Sequence, residues 1–273
     1  MARPVRGTRN VPRKSWAEDI VFTDDITSHK FKTLLKGQAG VGKTEVIASY
    51  PRPFVIDWES GLLTLGKHHI PNYPIGAKAQ GRYYDTMMAI LDAIENNESI
   101  GKINFAEIDS IGIDSLSKMN ELLLRDIMNV SGNVKAELDD WGTLDYQISG
   151  IMNRFIQLDK YKVATIGEAE KVDTKTQVST WSVNMRGNYR KFVEHEFDFV
   201  IWMKKEESRT GETFVATGKN MGGRTSKLRL VELPPKMDRV TFDLIEDAVK
   251  VVLGAEVIEE VEEKSILELD LNE

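Results

Sequence analysis

Apolar residues recur along this chain in two rhythms. Short apolar runs at Phe31-Lys-Thr-Leu-Leu-Lys36, Phe54-Val-Ile-Asp57, Ile103-Asn-Phe-Ala-Glu-Ile108 and Tyr161-Lys-Val-Ala-Thr-Ile166 predict four buried strands. Between them, residues 83–96, 114–128 and 142–159 carry apolar side chains at helical spacing. Thr44 to about Tyr50 predicts a shorter helix, stopped by Pro51 and Pro53. After a polar stretch over 167–192, Phe197–Met203 and Glu212–Thr217 predict two strands joined by a turn around Thr210-Gly211, and 241–253 a last helix. Strands alternating with helices predict an α/β fold, a mostly parallel sheet flanked by helices, and the late strand pair predicts an antiparallel extension at one edge.

Length and composition narrow this little further. The chain's 273 residues suffice for one large α/β domain or at most two small ones. Cysteine is absent, which excludes a disulfide framework, a thiolate zinc site and a cysteine nucleophile. No apolar run approaches the roughly 20 residues that span a bilayer, and no apolar segment follows the basic N-terminus as in a secretory signal. A cytoplasmic protein with no membrane partner is the expectation, in an infected bacterial host if the chain is phage-encoded.

Charge is unevenly placed. Residues 255–273 hold eight acids against Lys264, which accounts for the whole formal charge of −7 and leaves the rest of the chain neutral. Arg3, Arg6, Arg9, Arg13 and Lys14 fall in a segment without acids. The chain therefore divides into a basic arm and lead-in (1–30), a core (31–253) and an acidic, flexible tail (254–273). Either the ends are simply solvated, or the arm touches phosphates while the tail recruits a protein partner.

The strongest chemical signal is Gly37-Gln38-Ala39-Gly40-Val41-Gly42-Lys43-Thr44. It fits Gly-x-x-x-x-Gly-Lys-Thr, lying after an apolar strand and opening a helix, the setting in which this pattern cradles phosphates. Glycines allow the backbone to aim several N–H groups at phosphate oxygens, and a helix N-terminus adds positive potential. Lys43 is expected to reach the β- and γ-phosphates, and the Thr44 hydroxyl to ligate Mg²⁺. Phosphoryl transfer also needs a strand-end carboxylate for the metal's water shell. Asp109, closing the run from Ile103 to Ile108, is the preferred candidate over Asp57. Glu59, two residues past the second strand, is the candidate base for water, and Glu168, two past the fourth, a candidate sensor of the γ-phosphate. The four histidines show no metal-ligand spacing.

In order and spacing, Gly37–Thr44, Phe54-Val-Ile-Asp-Trp-Glu59 and Ile108-Asp-Ser110 resemble the RecA-type ATPase core. The compact chain looks like the phage-encoded AAA-domain proteins that consist of that core alone, several of which anneal single strands in recombination. The resemblance implies ATP and Mg²⁺ as cofactors, Asp109 as metal ligand, Glu59 as catalytic glutamate and a homo-oligomer with nucleotide near a subunit interface. Asn184–Phe192 resembles that family's late helix. Val215-Ala-Thr-Gly-Lys-Asn220 resembles the segment whose basic residue reaches a neighbour's phosphates, making Lys219 a candidate finger in trans. One departure stands out: Glu168 falls where the family carries glutamine.

Residues 167–192 occupy the place of the family's mobile DNA-contacting loop. Lys171, Lys175, Arg186, Arg190 and Lys191, with Trp181 and Tyr189 interleaved, are candidates for single-stranded DNA, diluted by Glu168, Glu170 and Asp173. Two other readings remain open. One is a small-molecule kinase, whose lid would draw on Arg209, Arg224 and Arg229; the other is an assembly or loader protein in which ATP controls a protein contact.

Overall fold

The computed structural model describes residues 30–172, 179–208, 211–218, 220, 224–229, 233–234 and 236–252. The basic arm and the acidic tail lie outside these residues. In chain order the strands are β1 (Lys32–Lys36), β2 (Pro53–Asp57), β3 (Asn72–Tyr73), β4 (Ser99–Ile100), β5 (Ile103–Asn104), β6 (Ser110–Asp114), β7 (Tyr161–Ile166), β8 (Glu168–Val172), β9 (Ser179–Val183), β10 (Phe199–Ser208), β11 (Gly211–Thr217) and β12 (Lys227–Leu228). The α-helices are α1 (Lys43–Ile47), α2 (Ile75–Lys78), α3 (Tyr83–Glu95), α4 (Leu116–Ser131), α5 (Leu138–Gln157) and α6 (Phe242–Val252).

The main sheet runs β11-β10-β1-β7-β6-β2-β3, with β12 also on β10. From β3 to β10 every pairing is parallel, and β11 and β12 add to β10 antiparallel. This is the expected α/β arrangement, a mostly parallel sheet flanked by helices with an antiparallel edge. Alternation within each strand feeds two cores. Leu34, Ile56, Ile113 and Ala164 face the side covered by α3, α4 and α5. Phe31, Leu35, Val55, Val163 and Ile201 face α1 and α6 on the other side. Phe242 of α6 stacks on Phe31 at 5.4 Å and meets Tyr50 at 5.1 Å, while its N–H donates to Ser49 Oγ at 2.9 Å, tying α6 to the segment after α1.

Two expected elements differ. The run Ile103–Ile108 is not a core strand. Only Ile103-Asn104 is extended, in a small hairpin with Ser99-Ile100, and Phe105–Glu107 forms a 3₁₀ turn capped by the Asn104 side chain. The core strand comes next, at Ser110–Asp114. Second, the polar stretch after β7 contains two strands, β8 and β9, paired antiparallel with Glu170 opposite Trp181, and Tyr189–Glu196 forms two 3₁₀ turns rather than a late α-helix.

At the edge of the sheet where β7 begins, Lys162 is buried and donates to the Leu158 carbonyl oxygen at 2.6 Å. Burial, reinforced by Lys32, lowers its pKa from 10.5 to about 8. Between those values the unfolded chain holds a proton that the folded one has released. This site's contribution to stability therefore grows as pH rises from about 8 to 10.5. Lys162→Met is expected to flatten the dependence of the urea midpoint on pH in that window, and an unchanged slope would contradict the assignment.

Candidate nucleotide-binding site

The carboxyl ends of β1, β2, β6 and β7 come to one edge of the sheet, and the loop 37–42 lies across it. The Gly37 N–H donates to the Ile166 carbonyl oxygen at 3.2 Å, fastening the loop to the end of β7. A side chain at residue 37 would have nowhere to go, since a Cβ would lie 2.3 Å from the Met203 carbonyl oxygen. Gly40 and Gly42 have φ of 76° and 84°, the left-handed region that glycine enters without a steric penalty. The helix that follows is only five residues long. Its dipole is correspondingly short, so the local N–H groups of the loop carry the interaction with an anion.

The loop floors a cavity of about 900 Å³. Into it project Lys43, Thr44, Glu59, Asp114 and Glu168. The Lys43 ammonium donates to the carbonyl oxygens of Gly37 at 3.0 Å and Gln38 at 2.6 Å. Burial lowers its pKa, an effect opposed by the nearby charges of Asp114, Glu59 and Glu168. Lys43 thus sits among carboxylates, an arrangement suited to a polyphosphate accompanied by a metal ion.

The strand-end carboxylate is Asp114. Thr44 Oγ1 donates to its Oδ2 at 2.7 Å, and Thr165 Oγ1 donates to its Oδ1. Burial pushes the Asp114 pKa up, against the lowering effect of the two hydroxyls. Sequence reasoning missed this residue. Asp109, preferred on the sequence, comes just before β6 instead of closing a strand, and so lies at the opposite edge of the sheet. There it accepts from Arg52 Nε at 2.6 Å and Nη2 at 2.7 Å, and that bidentate contact holds its carboxyl below the usual range. Asp57, the rejected alternative, ends β2 but spends Oδ1 on the N–H groups of Glu59 and Ser60, at 3.0 and 2.8 Å. It builds the turn that carries Glu59.

Glu59 is exposed at the cavity mouth, its Oε1 accepting the Ser115 hydroxyl. Glu168 is different: its side chain is 1% exposed. Its Oε2 accepts Trp202 Nε1 at 2.9 Å and Arg224 Nε at 3.1 Å. Of the remaining sequence candidates, Lys171, Arg186, Arg190 and Lys191 are exposed on or beside the β8–β9 hairpin, together with Phe192. Trp181 is half-buried, its ring packed on Arg224. Lys175, Lys219 and Arg209 lie outside the described residues. Among the described residues no cluster of three or more His, Asp or Glu forms a metal site.

The AAA domain, as a family, matches residues 29–230, from the residue before the first described one to just past β12. The chain belongs to the AAA domain family. The phosphate loop, Asp114, Glu59 and Glu168 all fall inside the matched segment, so the cavity they line belongs to an AAA-type P-loop ATPase domain. No curated protein sequence matches the chain. Solved structures similar to it include the flagellar accessory protein FlaH of Methanocaldococcus jannaschii, at 12% identity and a TM-score of 0.38, covering 76% of this chain and 84% of that one. No helix among the described residues of this AAA domain protein is long and apolar enough to cross a membrane.

Proposed function

We propose that this chain hydrolyses ATP with Mg²⁺ and works on single-stranded DNA in phage recombination, annealing or replication. The observation that carries the ATPase reading is the hydrogen bond between Thr44 and Asp114. It joins the hydroxyl closing the phosphate loop to a buried strand-end carboxylate. A hydroxyl and one carboxylate are an oxygen set that suits Mg²⁺, which keeps most of its waters and takes few protein ligands. Thr44 would hold the ion directly and Asp114 would hold its water shell, where the metal neutralises charge developing on the β- and γ-phosphates. Lys43 would neutralise the same oxygens from the loop.

Glu59 is the base in this reading. Ser115 fixes one of its oxygens and the other is left for water at the open side of the cavity. Glu59→Gln is expected to bind ATP with unchanged affinity and lower kcat by about 100-fold or more, the usual scale for a positioned acid or base. Full turnover in that variant would move the base elsewhere.

DNA as the partner draws support from Arg186, Arg190, Lys191 and Phe192, exposed in the segment that follows the hairpin carrying Lys171: cations to follow phosphates and a ring to stack a base. A small-molecule kinase is less well supported, because two of its lid arginines are engaged. Arg224 pairs with Glu168 and Arg229 with Asp198. ATPase activity measured with and without single-stranded DNA over a salt series tests the proposal. Stimulation that fades steeply with salt is the expected result, and a rate indifferent to DNA at low salt would refute the DNA part.

A further inference from the structure

Cations crowd the edge of the sheet that lies away from the phosphate loop. Across the amino ends of β10, β1 and β7 they follow one another in sheet order: Lys227 and Arg229 (from β12, beside β10), Lys30 and Lys32, then Lys160 and Lys162. Two strand spacings, about 10 Å, separate β10 from β7. The acids among them are Asp198 and Asp159, with Glu196 and Glu246 at the margins. Asp198 answers both Lys32, at 3.7 Å, and Arg229, at 3.4 Å.

The other four cations are met by neutral groups. Lys160 donates to Asn97 Oδ1 at 3.2 Å and to the Phe105 carbonyl oxygen at 3.0 Å. Lys162 donates to the carbonyl oxygen of Leu158, and Lys227 to those of His195 and Phe197, at 3.0 and 2.7 Å. The Lys30 ammonium stands 4.5 Å from the centre of the Tyr161 ring. Crowding is felt between them: Lys30 and Lys32 push the pKa of Lys162 down, and Arg229 and Lys32 that of Lys227. Like charges held this close cost stability, and a polyanion laid along the edge offsets that cost.

A segment of matching charge leaves the fold beside this edge. In α6, Glu246 Oε1 accepts the Tyr161 hydroxyl at 3.3 Å, and Phe242 meets the same ring at 4.8 Å. The helix ends at Val252, six residues and about 9 Å beyond Glu246. Residues 255–273 follow, with eight acids and one lysine. From residue 253 onward the chain can extend about 70 Å, several times the width of the cation row. Tethered there, it stands at an effective concentration on the order of millimolar, so surface ion pairs that are weak singly act together.

We propose that the acidic segment 255–273 docks on its own chain along this edge, its carboxylates on Lys30, Lys32, Lys160, Lys227 and Arg229. The inference is independent of the ATPase reading, since the row lies across the sheet from the phosphate loop. A nucleic acid would answer the same cations, but it arrives from solution and has to displace a polyanion already attached beside Tyr161.

Zero-length carbodiimide cross-linking of the full chain, read by mass spectrometry, tests this, because it joins only carboxylates and amines in contact. An equal mixture of ¹⁵N-labelled and unlabelled protein separates links within a chain from links between copies. Tail acids are expected to join Lys30, Lys32, Lys160 or Lys227 within one chain, at least about tenfold more often than the exposed Lys78 and Lys135. These links should vanish at about 1 M salt, where the screening length falls to about 3 Å. Lys30→Glu with Arg229→Glu is expected to cut the links to Lys160 by at least about fivefold. Should that variant fail to fold, Gln at Glu259, Glu260, Glu262 and Glu263 together is expected to remove the links from the remaining tail acids. Links spread evenly over exposed lysines, confined to Lys14, or formed only between copies would overturn the proposal. So would an absence of tail links combined with protection of Lys30 and Lys160 from acetylation by an added oligonucleotide, which would make the edge a nucleic-acid surface.

Discussion

Lys43→Ala is expected to remove measurable ATP turnover and to weaken nucleotide binding by a factor of about 100 to 10,000. The lysine lies near three acids of the cavity, Asp114, Glu59 and Glu168. A hydrogen bond to a charged group contributes about 1.5–3 kcal/mol, and the ammonium is placed to give two, one to each terminal phosphate. At 1.4 kcal/mol per tenfold, about 3–6 kcal/mol corresponds to the range stated. The loss of the cation also leaves phosphate charge facing carboxylates in a partly dehydrated site, which increases the effect. The fold should change little, because the Nζ contacts replaced are two loop carbonyls, of which that of Gln38 is exposed. Calorimetric titration with ADP, alongside a hydrolysis assay, checks both halves. Turnover at the parental rate would contradict the site assignment.

Asp114→Asn is expected to act on activity and stability in opposite directions. Activity should fall by about 10- to 100-fold, the scale on which groups supporting a metal's ligand shell matter. Stability should hold or rise. Burial raises the Asp114 pKa, so above its unfolded-state pKa the ionised group works against folding, and an amide removes that charge. The Asn side chain can accept from one of Thr44 and Thr165 and donate to the hydroxyl of the other, so neither is stranded. Asp109→Asn provides the contrast: its carboxylate answers Arg52 at the far edge of the sheet, and turnover should be unchanged. Thermal melts and Mg²⁺-dependent hydrolysis of the two variants decide the matter. Equal losses of activity in both would contradict the placement of the metal site.

The confusion between those two aspartates has a physical origin. Ile103–Ile108 is the more apolar run, but its Asn104 caps a turn and its Phe105 and Ile108 fill the core from a 3₁₀ segment. The true strand, Ser110-Ile-Gly-Ile-Asp114, looks weaker because glycine occupies its centre. Gly112 is there for packing, as a Cβ would come within 2.8 Å of the Ile47 side chain, and α1 could not lie so close to the sheet. A strand glycine that marks close approach of a helix was the available signal. The phosphate loop and Glu59 were legible because their chemistry is local in sequence, a glycine pattern in one case and a turn built by Asp57 in the other. The setting of Glu168 was not, since Trp181, Trp202 and Arg224 come from three segments that only the sheet and its hairpin bring together. The same pairing explains why Trp181, with its ring on a cation, is not the free aromatic that the polar stretch suggested.

The most direct test of the account is a crystal structure of the full chain grown with Mg²⁺ and a non-hydrolysable ATP analogue. The account predicts the β- and γ-phosphates on the N–H groups of residues 37–44, beside Lys43, with the ion between Thr44 and the water shell of Asp114. An analogue bound in another pocket while that turn remained without phosphate would contradict it.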